Sequence, residues 1–584
     1  MSEERKVKIV CTVGPACWDY EPLLKVAEAG MNVARLNFSH GSYESHGRTI
    51  DNVRAVEQET RRPIAVLLDT KGPEIRTGEL KEGKKVTLSA DSEFLLYFDK
   101  KPGDVEGVYV DFAPLAQEVK PGQNIFIDDG AINLEVIKCS DEGILCRVIV
   151  GGELGEHKGI NVPGADLSVP TLTEKDIEDL RWGAAHSVDY VAVSFVRSKE
   201  DIIEVRRVLE EEKAQAKVIA KIETRQAVDN IDEILSVVDG MMVARGDLGV
   251  EMNTEDVPMI QKEIIEKCRA QGKPVIVATQ MLDSMIRNPR PTRAEANDVA
   301  NAVIDGADAV MLSGETAGGK YPVESVATMN KIILRTERDT ESWRRKPRTI
   351  PPVCETADAV SHAARDVAKE VGAAAILSLT SSGGTARMVS KYRPPCPIFA
   401  MTPNLSTWRQ LALIWGVVSY ICPLTTELEK SVHNAVSLIK QEKLVKNGDN
   451  IVITSGVPLG EPGSTNMLNV LRVGNVLGKG LSLVRKRLTA PVCRAETPEE
   501  AVLKADPEKI LVIRKSDRDY IPALEKAGGI ITEECGLTSY AGVISLNRGV
   551  ACVTGVEGIM SQVEDGMVVT IDGNHGRVYQ GRVF

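Results

Sequence analysis

A repeated unit in the first 340 residues constrains the fold more than any other feature of this sequence. Each unit is a short apolar run followed by a segment with helical periodicity. Such apolar runs are typical of parallel strands, which are buried on both faces. Eight units fit a closed (β/α)8 TIM barrel better than an open doubly wound sheet. The runs are KIVCTVGP, NVARLNFSHG, PIAVLLDTKGP, DYVAVSFVRS, KVIAKIET, GMMVARGDLG, PVIVATQML and DAVMLSGETA.

A long insertion separates the third and fourth runs. Residues 73–170 are rich in β-type runs such as KVTLSA and NIFIDDG, interrupted by Gly, Asp and Pro. We expect an all-β lid domain there, on the rim of an α/β barrel made of residues 1–72 and 171–340. Residues 341–473 alternate strand and helix patterns and predict a C-terminal α/β domain, and residues 474–584 form an additional domain.

Composition excludes several classes of protein. The 11 cysteines form no Cys-x-x-Cys pair and the seven histidines have no zinc-ligand spacing, so neither a disulfide framework nor a structural zinc site is expected. A net charge of −12 disfavours binding to nucleic acids or anionic membranes. No run of 18 apolar residues occurs. We therefore expect a cytoplasmic protein with neither nucleic-acid nor membrane partners.

Polar residues enter the apolar runs near their C-terminal ends, and they do so with a period of two. A period of two places side chains on one face of a strand. The active site of a barrel lies at the C-terminal ends of its strands, so these side chains are expected to converge on one pocket. They are Arg35, Asn37 and Ser39, with the pairs Asp69 and Lys71, Lys221 and Glu223, Arg245 and Asp247, and Ser313 and Glu315.

The expected pocket combines cations with carboxylates, as an anionic substrate bridged by a metal requires. Glu223 and Asp247 are hard oxygen ligands, and two carboxylates without an imidazole suit Mg²⁺ or Mn²⁺. The glycines in the run from Arg245 to Gly249 allow backbone N–H groups to approach an anion. A phosphorylated or carboxylated ligand is therefore expected. The cations of the cluster are Arg35, Arg76, Lys221 and Arg245.

The chain contains, in this order, the motifs ARLNFSHG, LLDTKGPEIRTG, AKIET, VARGDLGVE, ATQMLDSMIRNPRPTRAEANDVANAV and MLSGETAGGKYPVE. In the order, spacing and residue content of these motifs, the chain resembles the pyruvate kinase family from about residue 6 to residue 473. This resemblance implies a barrel with an inserted β domain and an α/β effector domain. It also implies transfer of the phosphoryl group of phosphoenolpyruvate to ADP, with pyruvate and ATP as products, in the last step of glycolysis. A homotetramer is implied by the resemblance alone.

The resemblance also implies roles for single residues. The implied catalytic residues are Lys221, Thr279, Arg35, Ser313 and Glu315. Among them, Lys221 neutralises the phosphoryl group and Thr279 lies beside the enolate carbon. The other roles are substrate binding by Arg35, Lys221, Gly246, Asp247 and Thr279; Mg²⁺ at Glu223 and Asp247; K⁺ at Asn37, Ser39, Asp69 and Thr70; and nucleotide contacts by Arg76, His40 and Lys158. Glu74 is similar to the residue of the K⁺-requiring members.

Two other functions are compatible with part of this pattern. A metal-dependent aldolase or lyase also uses a Glu/Asp metal pair, but it requires neither Lys221, nor the monovalent-ion cluster, nor the lid. A non-catalytic phosphate sensor derived from the enzyme predicts damaged catalytic positions, and the barrel motifs are intact. The sequence therefore favours the kinase.

The run from Thr380 to Thr385 follows a strand and opens a helix, so its hydroxyls and N–H groups are candidates to hold a phosphate. The alternative is an ordinary Ser/Thr-rich helix cap. Family members that respond to a sugar bisphosphate carry a basic residue where this chain has Ser381, and Glu461 lies in the facing loop. We therefore expect allosteric activation by a monophosphate. The candidate effector residues are Thr380, Ser381, Ser382, Gly384 and Thr385.

The additional C-terminal segment contains GGIITEECGLTSYAGVISLNRGVACVTG, which resembles the swivelling β/α mobile domain of phosphoenolpyruvate-utilising synthases. In those enzymes a histidine that carries phosphate follows Thr-Ser. Tyr540 occupies that place here, and a phenol lacks the aptitude of imidazole for reversible phosphoryl carriage. A structural or interface role is expected, with regulation and residual phosphoryl carriage as the alternatives.

Overall fold

The structure is a computed structural model that describes residues 5–128, 130–165, 167–343, 355–458 and 465–582, with side chains omitted for 340–343. Within these described ranges, no helix is long and apolar enough to cross a membrane. The chain forms two compact units. The first comprises Met1–Glu355, Thr380–Arg393 and Pro397–Ile421, and the second comprises Thr356–Leu379, Pro394–Cys396 and Cys422–Phe584.

The first unit contains the expected parallel (β/α)8 barrel, and the eight apolar runs are its strands. The strands are, in their order around the closed barrel, Lys8–Thr12, Ala309–Leu312, Val275–Ala278, Gly240–Ala244, Lys217–Ile222, Tyr190–Val193, Ala65–Asp69 and Val33–Asn37. Their apolar side chains are buried on both faces, which is why the runs lack the alternation of a half-exposed strand.

Helices surround the barrel, and several begin with a capping box that fixes the first turn, for example at Ser42, Thr173 and Thr292. The helices of this region are Tyr20–Ala29, Tyr43–Thr60, Glu174–Ala185, Lys199–Glu211, Arg225–Asp229, Ile231–Val237, Arg245–Glu251, Val257–Gln271, Arg293–Asp305, Gly314–Ala317 and Pro322–Trp343, with a 3-10 turn at Asp283–Ile286.

The insertion folds as the expected all-β domain with a hydrophobic core of its own. Its main sheet has seven strands, in the order Ile75–Arg76, Gly159–Asn161, Asn124–Ile127, Ile132–Ser140, Gly143–Val150, Glu93–Tyr97 and Gly107–Tyr109. A two-stranded sheet pairs Gly152–Leu154 with Val86–Leu88, and the short helices are Lys81–Gly83 and Leu115–Glu118.

A late segment of the chain also belongs to the first unit and completes the core of the barrel. Ala412 and Leu413 are buried in the same cluster as the inward-facing barrel residues Val33 and Leu67. The Nζ atom of Lys8 donates a hydrogen bond of 2.7 Å to the carbonyl of Val417. The elements of this segment are the strands Ile398–Thr402 and Val417–Ile421, which pair in parallel, and the helices Gly384–Lys391, Leu405–Gln410 and Leu411–Leu413.

The second unit has α/β character throughout. Ala375–Leu379 pairs in parallel with Asn450–Gly456, which pairs antiparallel with Thr465–Arg472; the sequence did not predict this last strand. The helices here are Thr356–Glu370 and Leu428–Gln441.

The additional domain lies at the end of the second unit, and its sheet has mixed strand directions. The strands follow the order Asn475–Lys479, Arg577–Gln580, Val568–Asp572, Arg487–Arg494, Ile510–Ile513, Gly529–Thr532, Ala551–Thr554 and Leu481–Ser482. The helices are Pro498–Lys504, Arg518–Tyr520, Ile521–Lys526, Tyr540–Arg548 and Ile559–Gln562. The expected fold class is therefore confirmed, whereas the domain boundaries drawn from the sequence stay predictions.

Candidate active site

Two neighbouring barrel strands bring a buried arginine and a buried aspartate together. Val33–Asn37 and Ala65–Asp69 pair in parallel, with Asn37 opposite Asp69. The Nε atom of Arg35 lies 2.6 Å from Oδ2 of Asp69, and Nη1 of Arg35 donates to Oγ1 of Thr12 at 2.8 Å. The aspartate therefore holds the guanidinium at the C-terminal end of the barrel.

Lys221 lies at the centre of this cluster. Its Nζ atom donates to Oγ of Ser194 at 2.7 Å and forms ion pairs with Oε1 of Glu223 at 2.8 Å and Oδ1 of Asp69 at 3.3 Å. Burial alone would lower the pKa of Lys221, but the carboxylates of Asp69 and Glu223 raise that pKa above the ordinary value for lysine. The ammonium is therefore charged throughout the physiological range.

The two carboxylate oxygens of Glu223 have different partners. Oε2 accepts the backbone N–H of Phe195 at 2.6 Å, whereas the buried Oε1 lies 2.8 Å from the ammonium of Lys221. Burial raises the pKa of Glu223 to about 7, the ammonium of Lys221 opposes this rise, and the nearby carboxylate of Asp247 adds to it. A divalent cation bound by Glu223 and Asp247 would offset both the cost of burying the Glu223 carboxylate and its repulsion by Asp247.

The donor set decides which metals fit. Among the residues that the structure describes, no group of three or more His, Cys, Asp or Glu side chains is arranged to hold a metal ion. The two predicted ligands, Glu223 and Asp247, supply two carboxylates, which suit Mg²⁺ or Mn²⁺ because these ions retain water and substrate oxygens as further ligands. The residues present fit the predicted divalent ion.

The turn after strand Val275–Ala278 is strained. Thr279 has a φ of 68°, in the left-handed region that a β-branched residue rarely adopts. Its Oγ1 atom accepts the backbone N–H of Gly246 at 2.8 Å. Nε and Nη2 of Arg245 donate to the carbonyls of Ala278 and Thr279 at 3.1 and 2.7 Å, and Nη1 pairs with Asp298 at 2.7 Å. Arg245, placed among the substrate-facing cations by its sequence pattern, thus supports this turn.

Glu315 also contacts the backbone. Its two carboxylate oxygens accept the N–H groups of Leu282 at 3.0 Å and Ser313 at 2.7 Å, and burial raises its pKa. A cavity of about 1150 Å³ opens beside these loops, and its lining includes Asp247, Thr279, Ser313 and Glu315. Glu315 therefore holds the backbone at Leu282 and Ser313, beside this cavity.

The residues predicted to bind K⁺ lie at the C-terminal ends of strands Val33–Asn37 and Ala65–Asp69. Oδ1 of Asn37 accepts the backbone N–H of Ser39 at 3.1 Å. The carbonyl of Thr70 accepts Oγ of Ser194 at 2.6 Å, and Oγ1 of Thr70 accepts the N–H of Ser194 at 3.2 Å. Together with Asp69 these groups supply only oxygen donors, which suit an alkali cation.

The residues predicted to contact the nucleotide lie on the lid and on a loop of the barrel. Strands Ile75–Arg76 and Gly159–Asn161 pair antiparallel, which brings Arg76 beside Lys158. Arg76 pairs with Glu74 and donates to the carbonyl of His157 at 3.0 Å, and Lys158 pairs with Asp128 at 2.9 Å. His40 is exposed, and its carbonyl accepts Nε2 of His46 at 2.9 Å.

Ser194 and Phe195 are the site residues that the sequence analysis missed. They directly follow strand Tyr190–Val193, and Ser194 shares a strand face with Ala192. The rule that found the other polar residues, a polar side chain at the C-terminal end of an apolar run, applies equally to Ser194. Ser194 nevertheless lacks the period of two that marks the other residues, because Ala192 and Val196, two positions away on either side, are apolar.

The candidate effector loop has its own hydrogen bonds. Oγ1 of Thr380 accepts the N–H of Gly383 at 2.9 Å. The carbonyl of Ser381 accepts Nδ2 of Asn404 at 2.8 Å and Oγ1 of Thr407 at 2.9 Å. Helix Gly384–Lys391 follows at once, so Ser382, Gly384 and Thr385 lie at its N-terminus. Glu461 lies outside the described residues.

Tyr540 is the first residue of helix Tyr540–Arg548, and its side chain is 44% exposed. Ser539 caps this helix by accepting the N–H of Gly542 at 3.1 Å. The position that carries the phosphohistidine in the related synthases is therefore at an accessible helix start, but it holds a phenol.

The fold and the site define an enzyme of the (β/α)8 class that acts on an anionic substrate with the help of a cationic cluster. Three family descriptions match the chain: "Pyruvate kinase, barrel domain" over residues 4–326, "Pyruvate kinase, alpha/beta domain" over residues 358–471, and "PEP-utilising enzyme, mobile domain" over residues 505–576. The chain belongs to the pyruvate kinase family.

Two pyruvate kinases of known sequence align with almost the whole of this chain. The chain is 48% identical to a pyruvate kinase of Geobacillus stearothermophilus and 44% identical to one of Staphylococcus aureus, and each alignment covers 99% of both chains. The crystal structure of a pyruvate kinase from Cryptosporidium parvum superposes with a TM-score of 0.75 at 37% identity, covering 80% of this chain and 96% of that one. The chain is thus a phosphotransferase that transfers the phosphoryl group of phosphoenolpyruvate to ADP in glycolysis.

Proposed function

We propose that Lys221 is the residue that neutralises the phosphoryl group as it moves from phosphoenolpyruvate to ADP. The observation that carries this proposal is the contact set of Nζ, which lies within 3.3 Å of Ser194, Asp69 and Glu223 at the mouth of the barrel. Charge on the transferring group is spread over its equatorial oxygens, so a fixed ammonium stabilises the transition state. Arg35, held by Asp69, contacts the same phosphoryl group.

The carboxylate of phosphoenolpyruvate binds where Gly246 and Asp247 meet Thr279. The backbone N–H groups at the start of helix Arg245–Glu251 favour an anion. Thr279, fixed by Gly246 and Arg245, lies beside the enolate carbon and takes part in its protonation. Ser313 and Glu315 complete this wall of the cavity, and Arg76, His40 and Lys158 bind the nucleotide.

The reaction depends on Mg²⁺, or Mn²⁺, held by Glu223 and Asp247, and on K⁺ held by Asn37, Ser39, Asp69 and Thr70. When bound, these cations supply positive charge beside the phosphoryl group and the enolate oxygen. Dependence on both ions is general in the pyruvate kinase family. The burial of Glu223 near the carboxylate of Asp247 supports the divalent site, because a divalent cation would offset the negative charge of both groups.

The test is the formation of pyruvate and ATP from phosphoenolpyruvate and ADP with Mg²⁺, with and without K⁺. Turnover that requires both ions is expected. Pyruvate without ATP would favour the lyase, and the absence of turnover would favour a phosphate sensor.

The enzyme is activated by a monophosphate at the loop formed by Thr380, Ser381, Ser382, Gly384 and Thr385. Support comes from the position of this loop at the N-terminus of helix Gly384–Lys391 and from its lack of a basic side chain. AMP or ribose 5-phosphate is therefore expected to activate more strongly than fructose bisphosphate. The reverse order in a competition assay would overturn this effector class.

The enzyme works in the cytoplasm as a homotetramer, and the additional domain has a structural or interface role. The phenol of Tyr540 supports this role because it replaces the histidine that carries phosphate in the related synthases. Sedimentation of the full chain tests the tetramer. Incubation with labelled phosphoenolpyruvate, followed by digestion, tests whether Tyr540 acquires phosphate, and label on this residue would contradict the proposal.

A further inference from the structure

Ser194 connects three parts of the site that are far apart in the chain. Its hydroxyl accepts a hydrogen bond from Nζ of Lys221 at 2.7 Å and donates to the carbonyl of Thr70 at 2.6 Å, while its backbone N–H donates to Oγ1 of Thr70 at 3.2 Å. The hydroxyl thus donates to one close partner and accepts from the other, and Oδ1 of Asp69 lies 3.5 Å from its oxygen as a more distant acceptor. Lys221 and Thr70, the two close partners, define its orientation.

Phe195, the residue after Ser194, contacts Glu223, a proposed ligand of the divalent metal. The backbone N–H of Phe195 donates to Oε2 of Glu223 at 2.6 Å. This N–H is directed by an unusual backbone, because Phe195 has a φ of 54° in the left-handed region. A strained conformation of this kind persists only where its surroundings hold it.

Gly72 supplies part of those surroundings. A Cβ atom at this position would lie 2.8 Å from Cβ of Ser194 and 2.9 Å from a ring carbon of Phe195, so only glycine fits. Gly72 is itself held by Asp176, whose Oδ1 atom accepts its N–H at 3.0 Å. The chain that leaves strand Ala65–Asp69 toward the lid therefore packs directly against Ser194 and Phe195.

The three partners of the Lys221 ammonium differ in charge. Asp69 and Glu223 are carboxylates that compete with a substrate for its positive charge, whereas the hydroxyl of Ser194 is neutral. A neutral acceptor fixes the position of the ammonium and leaves its charge available to a phosphoryl group. The hydroxyl is thus suited to hold Lys221 during the reaction.

We propose that Ser194 is a positioning residue for phosphoryl transfer, which holds Nζ of Lys221 in line with the reacting group and anchors it to the backbone of Thr70. This inference rests on the proposed role of Lys221. Displacement of a reacting group by about 1 Å commonly costs up to 10²-fold in rate. Loss of the hydroxyl should therefore lower kcat far more than it weakens substrate binding.

The experiment compares Ser194→Ala and Ser194→Cys with the wild-type full chain. Turnover, the KM for phosphoenolpyruvate, its dissociation constant by calorimetry and the melting temperature are measured for each. Ser236→Ala is the matched control, because its hydroxyl also donates to a backbone carbonyl, at 2.6 Å, but on an exposed barrel helix. Lys221→Met is assayed in parallel.

For Ser194→Ala we expect kcat to fall about 10- to 100-fold while the dissociation constant changes less than about threefold. Ser194→Cys, which retains a weak acceptor, should lie between the alanine variant and wild type. A kcat within about twofold of wild type for Ser194→Ala, or a loss of binding and melting temperature in step with kcat, would overturn the inference. If Lys221→Met loses turnover and Ser194→Ala does not, only this inference fails; if Lys221→Met keeps turnover, the proposed role of Lys221 itself fails.

Discussion

The Nζ atom of Lys221 and the Oε1 atom of Glu223 lie 2.8 Å apart on one face of strand Lys217–Ile222 and the turn that follows it. The cation proposed to act on the phosphoryl group therefore lies beside the proposed ligand of the divalent metal. The two functions are coupled, because each charge shifts the pKa of the other.

Lys221→Met should reduce the rate of pyruvate formation by at least 10²–10³-fold, because the phosphoryl group loses a fixed positive charge. The fold should persist at reduced stability, because methionine fills a similar volume and the two carboxylates left behind are partly compensated. Asp69 retains its ion pair with Arg35, and Glu223, whose pKa burial raises to about 7, can take up a proton. A coupled assay of pyruvate release, with circular dichroism as the folding check, measures both. Lys217→Met is the matched control: Lys217 begins the same strand, is half-buried and pairs with Asp239 at 3.8 Å. Equal losses in the two variants would contradict the special role of Lys221.

Binding of Mn²⁺ to the substrate-free enzyme should weaken as the pH falls below about 7. Burial raises the pKa of Glu223 to about 7, and a metal binds the ionised carboxylate, so protons compete with the metal below that pH. Each further pH unit should cost about tenfold in affinity. Electron paramagnetic resonance of free Mn²⁺ between pH 6 and pH 8 provides the measurement.

Glu223→Gln should remove this pH dependence and weaken Mn²⁺ binding by at least about 10–100-fold, because a ligand is lost. Glu233→Gln, an exposed carboxylate that pairs with Lys199, serves as the control and should leave the titration unchanged. A pH profile that is the same for Glu223→Gln and wild type would show that another group binds the metal.

Arg409→Leu should destabilise the first unit by up to about 3–5 kcal/mol, because it removes the bidentate partner of the buried Glu57 carboxylate. The ion pair with Arg54 at 3.2 Å and the N–H of Ile64 at 3.2 Å then compensate this charge only in part. Nη2 and Nε of Arg409 lie 2.6 and 3.0 Å from Oε1 of Glu57, and the side chains are 16% and 4% exposed. Differential scanning calorimetry should show a fall of several degrees. The double variant Arg409→Leu with Glu57→Leu should recover part of the loss, and a double variant no better than Arg409→Leu would argue against an uncompensated charge.

His46 should titrate below its ordinary range and contribute to loss of stability in acid. Burial lowers its pKa, and Lys175 adds to this effect, although the carbonyl of His40 and Asp179 oppose it. The unfolded chain therefore takes up this proton first, so the stability associated with His46 is complete above about pH 7 and declines as the pH falls through about 6.5.

The His46→Gln variant should show a smaller fall in melting temperature between pH 7.5 and pH 5.5 than wild type. Its amide can replace the ring nitrogen that contacts the carbonyl of His40 at 2.9 Å. His186→Gln is the control, since this exposed ring stacks on Trp182 in the same aromatic cluster. NMR titration of the histidine rings provides the direct check, and a signal of His46 at or above the ordinary range would refute the prediction.

The sequence indicated which polar side chains lie near one another at the strand ends, whereas their roles stay predictions. Arg35, Asp69 and Lys221 meet within hydrogen-bond distance, as the period of two indicated. The direction in which a side chain donates could not be read from the pattern. Arg245 shares that pattern, yet its guanidinium donates to the carbonyls of Ala278 and Thr279, because the left-handed turn at Thr279 directs those carbonyls toward it.

What the sequence determined by itself is the barrel, its inserted β domain and the end at which the polar side chains gather. These follow from local patterns of burial, because a strand buried on both faces must be apolar along its whole length. The tertiary structure alone decided which polar atoms meet. The hydrogen bond from Lys221 to Ser194 and the one from Phe195 to Glu223 depend on strand register and on a left-handed backbone angle. No pattern of neighbouring residues encodes these, because hydrogen bonds are sensitive to distances of tenths of an ångström between segments remote in the chain.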